Sequence, residues 1–452
     1  MTATLPPPPP PPPPSPAPDP ARHGRFTSEV MAGGSTTEKG DDELVGGWRG
    51  ALGVAVVVAM FVALAFASIW WFVFAIGVLV AIFLHEAGHY VTARLTGMKA
   101  TQFFIGFGPR VWSFRRGETE YGLRLLPLGA FVRIIGMNTM DEVDPADEQR
   151  TYRVKSYPRR MLVITAGSLM HMVQAVVLLF VVYVGSGELV TRHGAEVATP
   201  ADGVAAGQTI TGPALAAGIE AGDVIVSVDG VSVDDRDHLG VLVRTHQAGD
   251  TVEVGVLRAG EPLDLSATLA AREADDGVPS DLVGTAILGV STFNATETVE
   301  HGVGSAAVNA VTDIFPVAWE STKGVVKVLN PVEVFTHVTG TNDNIETRPT
   351  TLVGVGGITD DIGNDQGIFG VLFLLAVLNV FVGVFNMFPL LPLDGGHAAI
   401  ATYERIREFG RPRGSRYYAD VARLMPFAMA VVTLLAFLFL SGLYLDITDP
   451  IG

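Results

Sequence analysis

Residues 51–89 read ALGVAVVVAMFVALAFASIWWFVFAIGVLVAIFLHEAGH, an almost unbroken apolar run that closes on His85-Glu86-Ala87-Gly88-His89. The run is too long for one ordinary span, because about 20 residues cross the hydrocarbon of a bilayer. Helical periodicity puts residues four apart on one face, so the imidazoles of His85 and His89 can reach one metal ion while Glu86 addresses a water beside it. Ionisable side chains are costly in lipid and by default functional there. The stretch therefore predicts a membrane-spanning chain with a metal site at apolar depth.

Composition agrees with that setting. Over 452 residues only 17% are charged, and the mean hydropathy is +0.38. Such a chain reads as a polytopic α-helical membrane protein rather than one large soluble core. The formal net charge of -17 is unevenly spread. Segments 94–160 and 405–423 are rich in arginine, whereas 188–365 is acidic and poor in Lys and Arg. No basic patch suggests nucleic acid. With no cysteine in the sequence, any zinc site must be built from nitrogen and oxygen donors.

Along the chain, residues 1–47 open with a proline run from Pro6 to Pro14 and read as a disordered tail. Residues 48–94 are expected to form two helices, 50–68 and 71–94, with Trp70-Trp71 as an interfacial belt between them; one long tilted helix is the alternative. Residues 95–160 form a cytoplasm-side region in which Thr101–Phe107, Val111–Phe114, Thr119–Leu125 and Phe131–Ile135 read as strands of a small membrane-associated sheet. Further spans fall in 161–185, in 367–398 and in 424–446, which brings the total to four or five. Between them lie an external linker with an amphipathic helix, 273–366, and a cytoplasmic loop, 399–423. Counting positive charge puts the arginine-rich loops in the cytoplasm and residues 186–366 outside the cell membrane.

Within that external segment, Gly212-Pro213-Ala214-Leu215-Ala216-Ala217-Gly218-Ile219-Glu220-Ala221-Gly222-Asp223-Val224-Ile225-Val226-Ser227-Val228-Asp229-Gly230 predicts a short helix, a turn, an alternating strand and a tight Asp-Gly turn. With strands at Thr251–Leu257 and Leu263–Leu269, the region 195–272 resembles a PDZ domain. Such α+β domains bind extended peptides at a sheet edge.

The span ending near Met387 runs into Asn386-Met387-Phe388-Pro389-Leu390-Leu391-Pro392-Leu393-Asp394-Gly395-Gly396-His397. Pro389 and Pro392 end the helix, and the glycines permit close backbone approach. Asp394 is thus expected on unwound chain facing a protein-lined cavity, where it can supply a third ligand and leave a fourth position for water. Asn379 and Asn386, seven apart, share the same helix face.

His-Glu-x-x-His in one span and the Asn-x-x-Pro-x-x-Pro-Leu-Asp-Gly-Gly motif in another, with a PDZ-like insert between, resemble the site-2 protease family of intramembrane zinc metalloproteases. The resemblance runs from about residue 70 to the C-terminus. It implies that His85, His89 and Asp394 hold one zinc ion and that Glu86 is the catalytic base. Its other implications are a membrane-reentrant sheet around Gly106-Phe107-Gly108-Pro109 and single-span membrane substrates such as anti-sigma factors or signal-peptide remnants. Many members carry Gly-Pro-x-x-Asn in the second core span, where this chain has Gly167-Ser168-Leu169-Met170-His171. His171, Asn379, Asn386 and Gly395 are therefore expected to support the site rather than bind the metal, with His397 no nearer than its surroundings. The competing reading is a PDZ-type membrane peptide receptor or chaperone with a non-catalytic metal site; a transporter would show paired helical halves, and no repeat is visible.

Overall fold

A computed structural model describes residues 48–137, 143–200, 203–205, 208–210, 212–272, 282–339, 348–409, 417–419 and 421–448. The proline-rich tail lies outside them. The chain divides into two compact units, one built from residues 1–185 and 303–452 and the other from Ser186–Gly302.

Among the described residues, the first unit holds five helices long and apolar enough to cross a membrane, judged by length and composition. Two of them divide the opening run: α1, Trp48–Ala67, and α2, Ile69–Leu95. Ser68 makes the break. Its backbone is extended, with φ -157°, and its hydroxyl caps the Trp71 N–H at 3.0 Å, satisfying a donor that a new helix leaves free. The two tryptophans lie in the first turn of α2, directly after the break. Trp71 packs over Gly356 and Trp70 over Gly363, positions seven apart on a later helix where a Cβ would meet the rings.

After α2 come β1, Ala100–Arg116, and β2, Thr119–Ile134. Each is one bent strand, so the four expected strands are halves of two. Phe104 pairs with both Phe131 and Gly122, which puts the first half of β1 between the two halves of β2. The 131–134 half lies on the outer side of the sheet, and Ile134 packs with Ala93 of α2.

Helix α3, Tyr157–Gly185, starts earlier than the expected span because its first turns pack against protein: Val163 and Ile164 are fully buried. Past the second unit, the expected single amphipathic helix is instead three short ones, α5 (Val303–Thr312), α6 (Ile314–Val328) and α7 (Pro331–Val338). Pro331, which fits a first helical turn but not a helix interior, marks the last division. Helix α8 then runs Leu352–Asn386 but breaks at Gly367, where φ of 65° and ψ of -151° are non-helical. The part after that glycine is the expected span. Where a loop was expected over 399–423, helix α9 occupies Asp394–Glu408, and α10, Met425–Thr448, ends the described chain.

The second unit is an antiparallel sheet in the order β7-β3-β4-β5-β6, formed by Glu188–Pro200 (β3), Val224–Val228 (β4), Thr251–Arg258 (β5), Glu261–Thr268 (β6) and Val290–Val299 (β7). The amphipathic helix α4, Arg236–Arg244, buries Leu239 and Val243 against its core. The unit is wider than 195–272, since Glu188 pairs with Val299 and closes the sheet where the chain enters and leaves. Those outer strands escaped notice because β7 buries little beyond Ala295 and so shows no clean alternation. Asp229 and Gly230, with φ of 47° and 77°, form the expected tight turn.

Candidate metal centre

His85 and His89 lie on the same face of α2, both 7% exposed, and they sit where α2 crosses α3. His89 Nδ1 is 2.7 Å from the carbonyl oxygen of Val163. A carbonyl only accepts, so Nδ1 carries the proton and Nε2 presents a bare lone pair. A metal-ligating histidine is commonly oriented in this manner.

Asp394 reaches the pair from about 300 residues away in sequence. Helix α8 ends at Asn386 and the chain turns through Met387–Leu393 before α9 begins at Asp394 itself. The expectation of unwound chain therefore holds for 387–393 but not for Asp394, which is the first residue of a helix. A carboxylate is favoured there by the unpaired N–H groups and the positive end of the dipole.

The three donor atoms form a small triangle. His85 Nε2 and His89 Nε2 are 3.1 Å apart, and Asp394 Oδ2 is 3.4 Å from the first and 3.2 Å from the second. Bonds of about 2.05 Å at tetrahedral angles would set ligand atoms about 3.3 Å apart. Asp394 Oδ2 is buried with no hydrogen-bond partner, an expensive state that a shared cation removes. The residues therefore fit zinc by spacing and by donor type. Among the described residues no other group of three imidazole or carboxylate side chains converges in this way.

Close approach of α3 completes the triangle. A Cβ on Gly167 would lie 2.4 Å from His89 Nε2 and 2.6 Å from His85 Nε2, so only glycine leaves the ligating edge clear. Gly395 plays the same part behind Asp394, where a Cβ would fall 2.2 Å from the carbonyl oxygen of Phe388. Glu86 is half-buried beside the triangle, one residue after His85 on α2.

His171 and Asn379 are buried and joined, Nδ1 to Oδ1, at 2.8 Å; Asn379 also donates to Leu375 O. The His171 ring centroid is 5.0 Å from that of His85. Asn386 does not join this contact. It is the half-buried last residue of α8 and makes no side-chain hydrogen bond among the described residues. His397 is half-buried in the first turn of α9. Sequence reading passed over Val163, because a carbonyl carries no side-chain signal. Gly167 stands out in the sequence only as part of a departure from a motif.

Comparison with known proteins supplies the identity of this arrangement. The profile of peptidase family M50 matches residues 73–433. The chain belongs to peptidase family M50. Relatives of this M50 chain include the zinc metalloprotease Rip1 of Mycobacterium tuberculosis (strain Erdman), 34% identical over 402 residues, with 84% of this chain and 97% of that one covered. Rip1 of Mycolicibacterium smegmatis is 31% identical with the same coverage. The zinc metalloprotease RasP of Shouchella clausii is 27% identical over 74% of this chain and 89% of that one. A solved PDZ domain of an SdrC-like protein from Listeria monocytogenes is 21% identical, with a TM-score of 0.18, and covers 23% of this chain and 90% of that one. This M50 member is a multi-pass membrane zinc metalloprotease of the site-2 type, acting in intramembrane proteolysis.

Proposed function

We propose that His85, His89 and Asp394 hold a single zinc ion and that Glu86 is the base for hydrolysing peptide bonds in single-span membrane substrates. The observation that carries this reading is the triangle of donor atoms, 3.1 to 3.4 Å on a side. When bound, the ion supplies Lewis acidity, lowering the pKa of a water towards about 7 and polarising the scissile carbonyl. Glu86 takes the proton from the attacking water and delivers it to the leaving amine, a role worth about 100-fold or more in rate. Val163 holds the imidazole of His89 in the tautomer that leaves Nε2 free.

A transmembrane helix hides its carbonyls in internal hydrogen bonds, so a substrate must unwind before attack. The 131–134 half-strand, which packs against α2 through Ile134 and Ala93, supports a clamping role: an extended segment pairing with this outer strand would regain lost backbone bonds near the base.

The arginine-rich segments 94–160 and 405–423 support a cytoplasmic side for those loops, which puts Ser186–Gly302 outside the cell. In that position a PDZ-like unit would screen substrates by their trimmed external ends. Anti-sigma factors and signal-peptide remnants are the substrate classes that resemblance to the site-2 protease family implies. The receptor or chaperone reading has no observation in its favour.

The test uses full-length protein in lipid nanodiscs with a labelled single-span substrate. Cleavage should require one equivalent of zinc and vanish in Glu86→Ala while zinc content is retained. An unimpaired Glu86→Ala variant would end the mechanism.

A further inference from the structure

Asp394 can meet the two histidines only if α9 sits at the right height along α3, and directional contacts rather than apolar ones set such a height. The buried core they share includes Val163 and Ile164 of α3 and Ala398 and Ala401 of α9, apolar side chains whose non-directional attraction does not by itself oppose sliding. Two polar contacts resist it. Tyr157 OH lies 3.3 Å from Thr402 Oγ1. The stronger contact is Arg160 Nη1 to Glu404 Oε2 at 2.6 Å, with Arg160 7% and Glu404 4% exposed. The other Glu404 oxygen accepts the Ala419 N–H at 2.8 Å. The Arg160 guanidinium lies over the buried ring of Tyr152, 5.5 Å from its centroid.

We propose that Arg160 and Glu404 are a positioning pair for the metal site, resting on the reading of Asp394 as a zinc ligand. Arg160 stands one helical turn before Val163, whose carbonyl orients His89, and two turns before Gly167, which clears the ligating nitrogens. Glu404 stands ten residues beyond Asp394, about 15 Å along α9. The ion pair thus joins the helix that orients one ligand to the helix that begins with another. Buried ion pairs seldom add net stability over apolar residues of like volume, and their best-attested use is to select one register.

The experiment titrates zinc against a competing chelator on detergent-solubilised full-length protein and, separately, measures the melting temperature of the zinc-free form. The double substitution Arg160→Met with Glu404→Met removes both charges together. It should melt within a few degrees of the parent yet bind zinc at least tenfold more weakly, while Glu404→Gln, which keeps one acceptor oxygen for Arg160 but sets a donor NH2 against the Ala419 N–H, recovers part of the affinity. Zinc affinity within twofold of the parent in a folded double variant overturns the proposal. Should the double variant not fold, Arg160→Lys decides: the charge stays and the reach shortens, so affinity should fall about threefold or more, and an unchanged affinity overturns the proposal equally. Asp394→Ala separates the two readings. If it binds zinc like the parent, the ligand assignment has failed; if it loses zinc while the pair variants do not, only the positioning role has.

Discussion

His89 donates its Nδ1 proton to the carbonyl of Val163 at 2.7 Å, a bond between two helices that settles the tautomer of a proposed ligand. The acceptor belongs to the backbone, so it persists through any substitution at residue 163 that keeps α3 in place. What disturbs the site on this side is a change in the distance between α2 and α3.

Gly167→Ala makes that change directly. Alanine favours the helix by about 1 kcal/mol over glycine, yet its Cβ would fall 2.4 Å from His89 Nε2 and from His85 Cε1. The variant should retain its helical content and its place in the membrane while losing zinc and cleavage together. Zinc analysis of the purified variant checks this, and normal metal content would show that the helices have room to separate.

Gly324→Ala should do the opposite. This glycine lies inside α6 with nothing within 4 Å of an added Cβ. The substitution is expected to raise stability by about 0.5–1 kcal/mol and leave cleavage unchanged. Thermal melting in detergent reads the first expectation, and a substrate assay the second.

His171→Asn preserves a side chain able to bond Asn379, whereas His171→Ala strips Asn379 Oδ1 of the 2.8 Å contact at a buried position. Leaving a buried polar atom unpaired costs about 1–3 kcal/mol. Cleavage by the asparagine variant should stay near that of the parent, while the alanine variant should melt lower and cleave more slowly. Equal behaviour of the two would remove His171 from the supporting network.

In the second unit Arg258 grips Asp223 through Nε at 2.8 Å and Nη2 at 2.7 Å, and the Glu220 N–H adds a third bond at 2.9 Å. The Arg258 guanidinium holds the Asp223 carboxyl below its ordinary range. A depressed folded pKa means the stabilisation is complete above the unfolded value near 4 and is lost as pH falls through the folded one. Protection of the 224–228 and 251–258 amides from hydrogen exchange should therefore be flat from pH 5 to 8 and decline below about pH 4. Arg258→Ala should lower that protection at neutral pH; undiminished protection in that variant would show the contact to be incidental.

Much of the membrane architecture was legible because its signals are local. The apolar runs and the prolines at 389 and 392 each act on their own few residues. Elements that depend on partners were read less well. The β7 strand shows little apolar alternation, α9 looked like a loop because its charged residues outweigh its alanines, and the two bent strands looked like four because glycine and proline mark a bend and a break alike.

The sequence by itself determined the helical spans and put two imidazoles on one face, since a 3.6-residue period makes positions 85 and 89 neighbours in any helix. It also marked Asp394, by surrounding it with residues that stop a helix and permit close approach. Only the tertiary structure decided that the three donors meet within 3.4 Å, that Val163 selects the tautomer and that Gly167 keeps the ligating edge open. These relations join residues on three helices, and the distances between helices come from how their surfaces pack, which no single stretch of chain encodes.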